Sequence, residues 1–322
     1  MRDATDHALL NRWQRGFPLT ARPFADVARD SGTTETEALD RLRRLRDEGV
    51  IDRVGPVFRP GGVGASTLAA MAVPASLLEN VAAIVNAHPG VNHNYERDHR
   101  INLWFVATAT DAAALERTLA AIEAQTGLAV LRLPLLEEFH IDLGFDLDTR
   151  QAPRGASAAP IARPPAPTES ERRLVARVAA GLPLVADPYG ELAGELGLTR
   201  DAVLGALQRM LDDGRIRRIG AVVRHRKLGF EANAMAVWDV PEDRAGGIGR
   251  ALAADPAVTL CYRRARTLPD WPYNLYCMVH GRSHAWTVEE VRRLAGEQRL
   301  DGYPSATLFS TRCFAQRAAR YG

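Results

Sequence analysis

Leu42-Arg43-Arg44-Leu45-Arg46-Asp47-Glu48-Gly49-Val50-Ile51-Asp52-Arg53-Val54-Gly55 returns as Leu207-Gln208-Arg209-Met210-Leu211-Asp212-Asp213-Gly214-Arg215-Ile216-Arg217-Arg218-Ile219-Gly220. The offset is constant, 214 − 49 = 165 residues. A repeat of this kind fixes the architecture before any single side chain is interpreted: the chain is one module written twice. In both copies apolar residues recur at helical spacing (Leu39, Leu42, Leu45; Val203, Leu207, Met210, Leu211), and a glycine, Gly49 or Gly214, ends the helix where a left-handed residue is wanted.

Working outward, each copy opens with three helical segments. They are expected at about Asp6–Arg15, Pro23–Ser31 and Glu35–Glu48, then at Ser170–Ala180, Tyr189–Leu196 and Arg200–Asp213. Thr34-Glu35-Thr36-Glu37 is a capping box for the third helix. Short β-branched runs follow, Val50–Val54 with Val57–Phe58 and Ile216–Ile219 with Ala221–Val223. Three helices and a β-hairpin predict a winged helix-turn-helix in each half.

The remainder of each half reads strand, helix, two strands, helix, strand. In half one the strands fall near Thr67–Val73, Val91–Glu96, Asn102–Thr108 and Val130–Glu138; in half two near Ala234–Val240, Val258–Arg263, Asn274–His280 and Ala306–Thr311. That βαββαβ order is ferredoxin-like, with helices on one face of the sheet. The bare face needs a cover, and the other half's sheet supplies it. The expected fold is therefore α+β, a duplicated winged helix-turn-helix plus ferredoxin-like module of Lrp/AsnC-like type, arranged as a pseudo-twofold intramolecular dimer. A cleft between the two sheets is the natural binding site. Expected boundaries are 1–62 and 63–150 for the first half, 151–168 for a linker rich in proline, and 169–228 and 229–322 for the second half.

Composition agrees with a folded, soluble chain. Its 322 residues suit two or three cores at roughly 100–200 residues per domain. No apolar run approaches the ~18 residues of a membrane span. The start, Met1-Arg2-Asp3-Ala4-Thr5-Asp6, has no apolar signal core, so a cytoplasmic location is the default and no membrane partner is expected. Cys261, Cys277 and Cys313 lack metal-ligand spacing, and no metal site is expected. Between Arg215 and Lys227 lie six basic residues, His225 and no acid, a run that fits either an anionic partner or a solvated β edge.

Winged helix plus ferredoxin-like module resembles the Lrp/AsnC regulators, whose third helix enters DNA. Here that helix exposes Glu35, Glu37 and Asp40 beside Arg41, and carboxylates repel phosphate. DNA binding as a transcriptional regulator sensing a small molecule or tetrapyrrole is thus the alternative reading, not the favoured one. A sharper likeness lies in longer motifs. Val222–Val240 resembles the histidine-bearing wing and first strand of the siroheme decarboxylases. Cys261-Tyr262-Arg263-Arg264 and Leu268–Gly281 resemble that family's two central strands, with counterparts in His93-Asn94-Tyr95-Glu96-Arg97 and Asn102-Leu103-Trp104-Phe105.

The resemblance implies two related subunits fused through the linker, an open question of further homo-oligomerisation, and a carboxy-lyase. Its reaction would remove the C12 and C18 acetate carboxyls of siroheme as CO2 on the route to heme or heme d1, with no cofactor beyond the iron of the substrate. Such a flat polycarboxylate needs guanidinium at its rim and apolar walls. Arg97, Arg224, Arg226, Arg263 and Arg264 are the candidate cations. Tyr95, Trp104, Tyr262, Tyr273 and Tyr276 are the candidate walls. An imidazole is the natural proton donor to the methylene left behind. His225 and His93 are the candidate acids, and His280 is a further candidate binding residue. The copies diverge at their histidines: Leu260 stands opposite His93 in the repeat, and Pro60 opposite His225. One working site and one degenerate site per chain are expected.

Overall fold

The computed structural model describes residues 3–141, 144 and 165–321, and at positions 225 and 226 it describes the backbone only. The first helical set is α1 (Ala4–Arg12), α2 (Pro23–Asp30) and α3 (Glu35–Asp47). Asp3 and Thr34 accept the N-terminal amides of α1 and α3 with their side chains. Strands β1 (Ile51–Phe58) and β2 (Ala65–Met71) follow, then α4 (Leu78–Ala87), β3 (Val91–Arg97), β4 (Leu103–Ala109), α5 (Ala112–Thr126), β5 (Leu131–Leu133) and β6 (Leu135–Ile141). The second half repeats the order with α6 (Glu169–Val178), α7 (Pro188–Leu196), α8 (Arg200–Asp212), β7 (Ile216–Val223), β8 (Ala232–Trp238), α9 (Glu242–Ala253), β9 (Val258–Arg264), β10 (Leu275–Gly281), α10 (His284–Glu297) and β11 (Ser305–Gln316). Gly49 and Gly214 sit at φ 69° and 73°, the left-handed helix ends read from the sequence. The expected linker lies mostly outside the described residues; after it, Thr168 and Glu171 form a reciprocal capping box on α6.

The wing is not a hairpin. Val50–Val54 and Val57–Phe58 were expected to turn back on each other, and likewise Ile216–Ile219 with Ala221–Val223. Instead each stretch is one uninterrupted strand, and β1 pairs antiparallel with β7 of the other half. The physical reason is length. Folded on itself, either segment makes a ribbon of about half the span; paired with its duplicate, seven of the eight residues of each strand find a partner, and Asp52 and Arg217 sit at the two register shifts. The register brings equivalent residues together at its centre, Gly55 with Gly220, flanked by Val54 with Ala221 and Pro56 with Ile219.

Neighbouring contacts obey the same symmetry. The Leu182 amide donates to the Val54 carbonyl, and the Phe17 amide donates to the Ile219 carbonyl. The helices of both halves consequently share one apolar core, from Leu9, Phe24 and Leu45 to Val178, Leu192 and Leu207.

The two ferredoxin-like sheets also exchange strands. β5 pairs with β2 in its own half, but β6, one proline further on, pairs with β9 of the other half. Correspondingly, Ser305–Phe309 of β11 pairs with β8, and Ser310–Gln316 of the same strand crosses to β3. The resulting order is β5-β2-β4-β3-β11-β8-β10-β9-β6, and Pro134 joins its two ends. The face-to-face sheets are therefore joined at both edges into a closed double layer. Its outer faces carry the helix pairs α4/α5 and α9/α10 over two separate apolar clusters.

The interior differs from the expected open cleft. Its middle is packed with Leu68, Ala70, Trp104, Met235, Val237, Tyr262, Trp271, Tyr276, Met278 and Leu308, residues drawn from both halves. Trp104 and Trp271 meet edge to face with centroids 4.9 Å apart, and Tyr262 stacks on Tyr276 at 5.4 Å. The Trp271 indole N–H donates to the Tyr276 hydroxyl at 2.7 Å, so the buried polar atoms of this packing satisfy each other.

Candidate functional site

Polar chemistry gathers at the end of the double layer nearest the β1–β7 ribbon. There β3 and β9 begin, β4 and β10 end, and the crossing strands β6 and β11 finish. The twofold makes two mouths, and their residues can be compared one by one.

The first mouth holds His93 and Tyr95 on β3, with Asp52, Arg53 and Arg224 from the ribbon. His93 is half-buried, and its Nδ1–H donates to Asn92 Oδ1 at 2.6 Å. That bond leaves Nε2 as the nitrogen free to titrate. Its ring lies nearly parallel to that of Tyr95, with centroids 6.5 Å apart. Burial, and then the Arg53 guanidinium, push the His93 imidazole down to about 4, against an opposing pull from Asp52. The residue is thus neutral at pH 7.

Asp52 is the hub of the ribbon's side. It accepts Arg53 Nη1 at 2.6 Å on one oxygen and Arg224 Nη2 at 3.0 Å on the other. The Arg224 amide also donates to the Val50 carbonyl, which ties the start of the His225–Leu228 turn to the same place. Both candidate acids therefore belong to one mouth: His93 by its side chain, His225 by its backbone, its side chain and that of Arg226 lying outside the described residues.

The second mouth carries the duplicates with different chemistry. Leu260 replaces His93, Arg217 replaces Asp52, and Arg59 replaces Arg224. Opposite Tyr262 stands Glu138 of β6, whereas opposite Tyr95 stands Cys313 of β11. Glu138 is buried between Arg217 and Arg59; Cys313 is exposed.

The remaining candidate residues lie elsewhere. Arg97 and Arg264 are equivalent and buried at the opposite end of the double layer, where they donate to the Leu308 carbonyl at 3.0 Å and the Leu133 carbonyl at 2.6 Å. Each holds the point where a strand crosses between halves. Arg263 faces α9 and pairs with Glu242 and Glu137. Tyr262 belongs to the packed interior, with the Arg264 guanidinium 4.6 Å over its ring, and Tyr273 packs against Trp271 at 4.8 Å. Trp104 and Tyr276, expected as walls of a slot, are fully buried core. His280 is buried at the mouth end of β10 with both nitrogens engaged, Nδ1 to Thr259 Oγ1 at 2.7 Å and Nε2 to Asn233 Nδ2 at 3.0 Å.

The basic run is largely consumed by internal partners. Arg215 pairs with Glu171 and Asp213, Arg217 with Glu138, and Arg224 with Asp52, while Arg218 donates to the Gln14 carbonyl. On α3, Arg41 and Arg44 turn inward to Asp6, which lies buried on α1. Among the described residues, no group of histidines, cysteines and carboxylates has the arrangement of a metal site, and no helix is long and apolar enough to cross a membrane.

Asp52, Arg53 and Glu138 were not read as site residues from the sequence. Asp52 carries a visible signal: within the opening repeat it faces Arg217, the one acid-to-base exchange among the strand residues. Glu138 carries none, because its place depends on the strand exchange.

A helix-turn-helix pair fused to twin ferredoxin-like sheets defines a duplicated Lrp/AsnC-type ligand-binding protein. Two family models agree. The AsnC-like ligand binding domain matches residues 61–140 and 227–315, and the siroheme decarboxylase NirDL-like HTH domain matches 6–51 and 171–217. The chain belongs to the siroheme decarboxylase family. It is 46% identical to the siroheme decarboxylase NirDL subunit of Paracoccus denitrificans over 98% of this chain and 97% of that one. The siroheme decarboxylase NirD subunit of Stutzerimonas stutzeri is 52% identical over 45% of this chain and 95% of its own length, as a half-length relative of a fused chain should be. A crystal structure of the siroheme decarboxylase NirDL in complex with an iron-uroporphyrin III analogue superposes with a TM-score of 0.70 at 30% identity, covering 99% of this chain and 94% of that one.

Proposed function

We propose that this chain is a siroheme decarboxylase that removes the C12 and C18 acetate carboxyls of siroheme at the mouth formed by His93, Tyr95, Asp52, Arg53, Arg224 and the His225–Leu228 turn. Near-full-length identity to the Paracoccus decarboxylase supports the reaction. The observation that supports this mouth is His93, a neutral imidazole beside the Arg53 guanidinium, which is tied through Asp52 to Arg224.

The chemistry follows from that arrangement. Siroheme brings eight carboxylates, and Arg53 and Arg224 supply the opposite charge at the rim, with Arg226 a further candidate cation from the sequence. Docking places negative charge beside His93, which favours its charged form and raises its affinity for a proton. The bond between the acetate methylene and its carboxylate carbon then breaks. CO2 leaves, the electron pair passes into the macrocycle, and the methylene takes a proton to become a methyl group. Each step consumes one proton per CO2, delivered by His93 or His225. The iron is part of the substrate, and the reaction is proposed to need no other cofactor. Arg97, Arg263, Arg264, Tyr262, Tyr273 and His280 serve in this reading to hold the strand exchange and the interior around the mouth.

Anaerobic incubation of the purified chain with siroheme, followed by mass analysis, tests the proposal. Loss of two CO2 per macrocycle is expected; recovery of unchanged siroheme from folded protein overturns it. The regulator reading predicts instead a salt-dependent, sequence-selective DNA shift. The inward-turned Arg41 and Arg44 argue against that outcome.

A further inference from the structure

The twofold relates the mouths, but only one has its own counter-ion built in from across the sheet. In the first mouth the ribbon positions 52 and 224 are an acid and a base that neutralise each other. In the second the same positions are two arginines, Arg217 and Arg59. Two guanidiniums brought close together, Arg217 from β7 and Arg59 just past the end of β1, repel unless an anion lies between them. That anion is Glu138. Its Oε2 lies 3.4 Å from Arg59 Nε and in close contact with Arg217 Nη2, and its side chain is 8% exposed. Arg217 is also anchored by donating Nη1 to the Ile141 carbonyl at 3.2 Å. Two arginines converging on one buried carboxylate is how a protein grips a carboxylic acid ligand.

We infer that the second mouth is a carboxylate-binding site occupied by the chain's own Glu138, and that Arg59 and Arg217 accept an external carboxylate when that side chain is removed. Glu138 reaches the site only because β6 crosses to the other half's sheet, so the stopper comes with the strand exchange. Cys313, its counterpart, offers no charge and is exposed. The corollary that the chain carries one working mouth rests on the proposed function; the carboxylate site itself does not.

Thermal unfolding of full-length E138A in sodium acetate and in sodium chloride of equal ionic strength tests the inference. A ligand that binds only the folded state stabilises it by mass action. E138A is expected to gain a saturable rise of about 2–4 °C in acetate over chloride. The unaltered chain and the E138A/R217A double variant are expected to respond alike to both salts. Equal behaviour of E138A in the two salts overturns the inference. Should E138A unfold on purification, refolding yield is compared instead: recovery favoured by acetate supports the site, and equal yields sink it. A second readout is iron uroporphyrin III bound per chain, expected at one for the unaltered protein and two for E138A. Two per unaltered chain, or one per E138A chain, counts against a plugged second mouth. A chain that leaves siroheme unchanged yet shows the acetate response loses the proposed function and keeps this site.

Discussion

Gly55 and Gly220 occupy the same place in the two copies, and they face each other across the β1–β7 ribbon. The pseudo-twofold axis therefore passes between them, and every later difference between the mouths is measured from that point. Close approach of backbone demands glycine at position 220 and favours it at position 55. A Cβ on Gly220 would lie 2.4 Å from the main chain of Trp13 and Gln14, while a Cβ on Gly55 would lie 3.1 Å from Cα of Gly181. The helical layers press on the ribbon from both sides, more tightly at Gly220.

Gly220→Ala is accordingly expected to cost about 3 kcal/mol, since the atoms it strikes are backbone that no rotamer change can clear. Gly55→Ala is expected to cost about 1 kcal/mol, because a shift of a few tenths of an ångström relieves it. Urea unfolding of the two variants checks the order. Equal losses would mean that the ribbon relaxes freely and does not fix the axis.

Most of the fold was legible because its signals are local. Helical spacing, capping residues and Gly49 with Gly214 place α3 and α8, and the constant offset of the repeat places the rest by symmetry. Strand pairing was not legible in the same way. Val50–Phe58 reads as a hairpin on its own, and nothing within those residues reports that Ile216–Val223 is a better partner; that choice is made by a segment 165 residues away. The same exchange decided which of the expected wall residues are core. With β6 and β11 crossing over, Trp104 and Tyr276 are packed as core. His93 stands out in the sequence by its divergence from Leu260, and Asp52 is open to the same comparison with Arg217.

Glu171 and Arg215 show how the helical layer holds the ribbon. Their side chains are 8% and 3% exposed and meet at 2.9 Å. The bond from Arg215 holds the Glu171 carboxyl below its usual range despite the opposing effect of burial. Glu171→Ala removes the carboxylate, leaves a guanidinium with only Asp213 beside it, and deletes half of the α6 capping box. A loss of about 3 kcal/mol is expected by urea unfolding. A loss below about 1 kcal/mol would show that Asp213 alone suffices.

His93 should mark the stability curve. Its folded value of about 4 lies below the ~6.5 of an unfolded chain, so between those limits the unfolded state binds the extra proton. Stability attributable to this residue is intact above pH 6.5 and falls as the pH drops from there towards 4. Below about 4 the loss is complete. His93→Asn, which cannot titrate, is expected to flatten the acid side of the Tm–pH profile in that window and to leave the profile above pH 7 parallel to the original. Superimposable acid limbs would mean that the imidazole is already solvated and charged, and that it cannot be the neutral group waiting for substrate.

The two remaining candidate histidines are separated by opposite expectations. His280 bonds Thr259 and Asn233 with its two nitrogens, so neither is left for a substrate proton. His280→Ala strands two buried partners and is expected to cost about 1–3 kcal/mol in stability while leaving turnover per folded molecule within a few-fold. His225 begins a short turn tied to the first mouth through Arg224. His225→Ala is expected to leave Tm nearly unchanged and to slow siroheme turnover by ~10²-fold, as loss of a general acid does. Steady CO2 release at substrate saturation, measured beside the Tm of each variant, distinguishes them. If His280→Ala abolishes turnover without loss of stability, the proton is delivered at the second mouth, where β10 ends, and the assignment of the reaction to the first mouth fails with it.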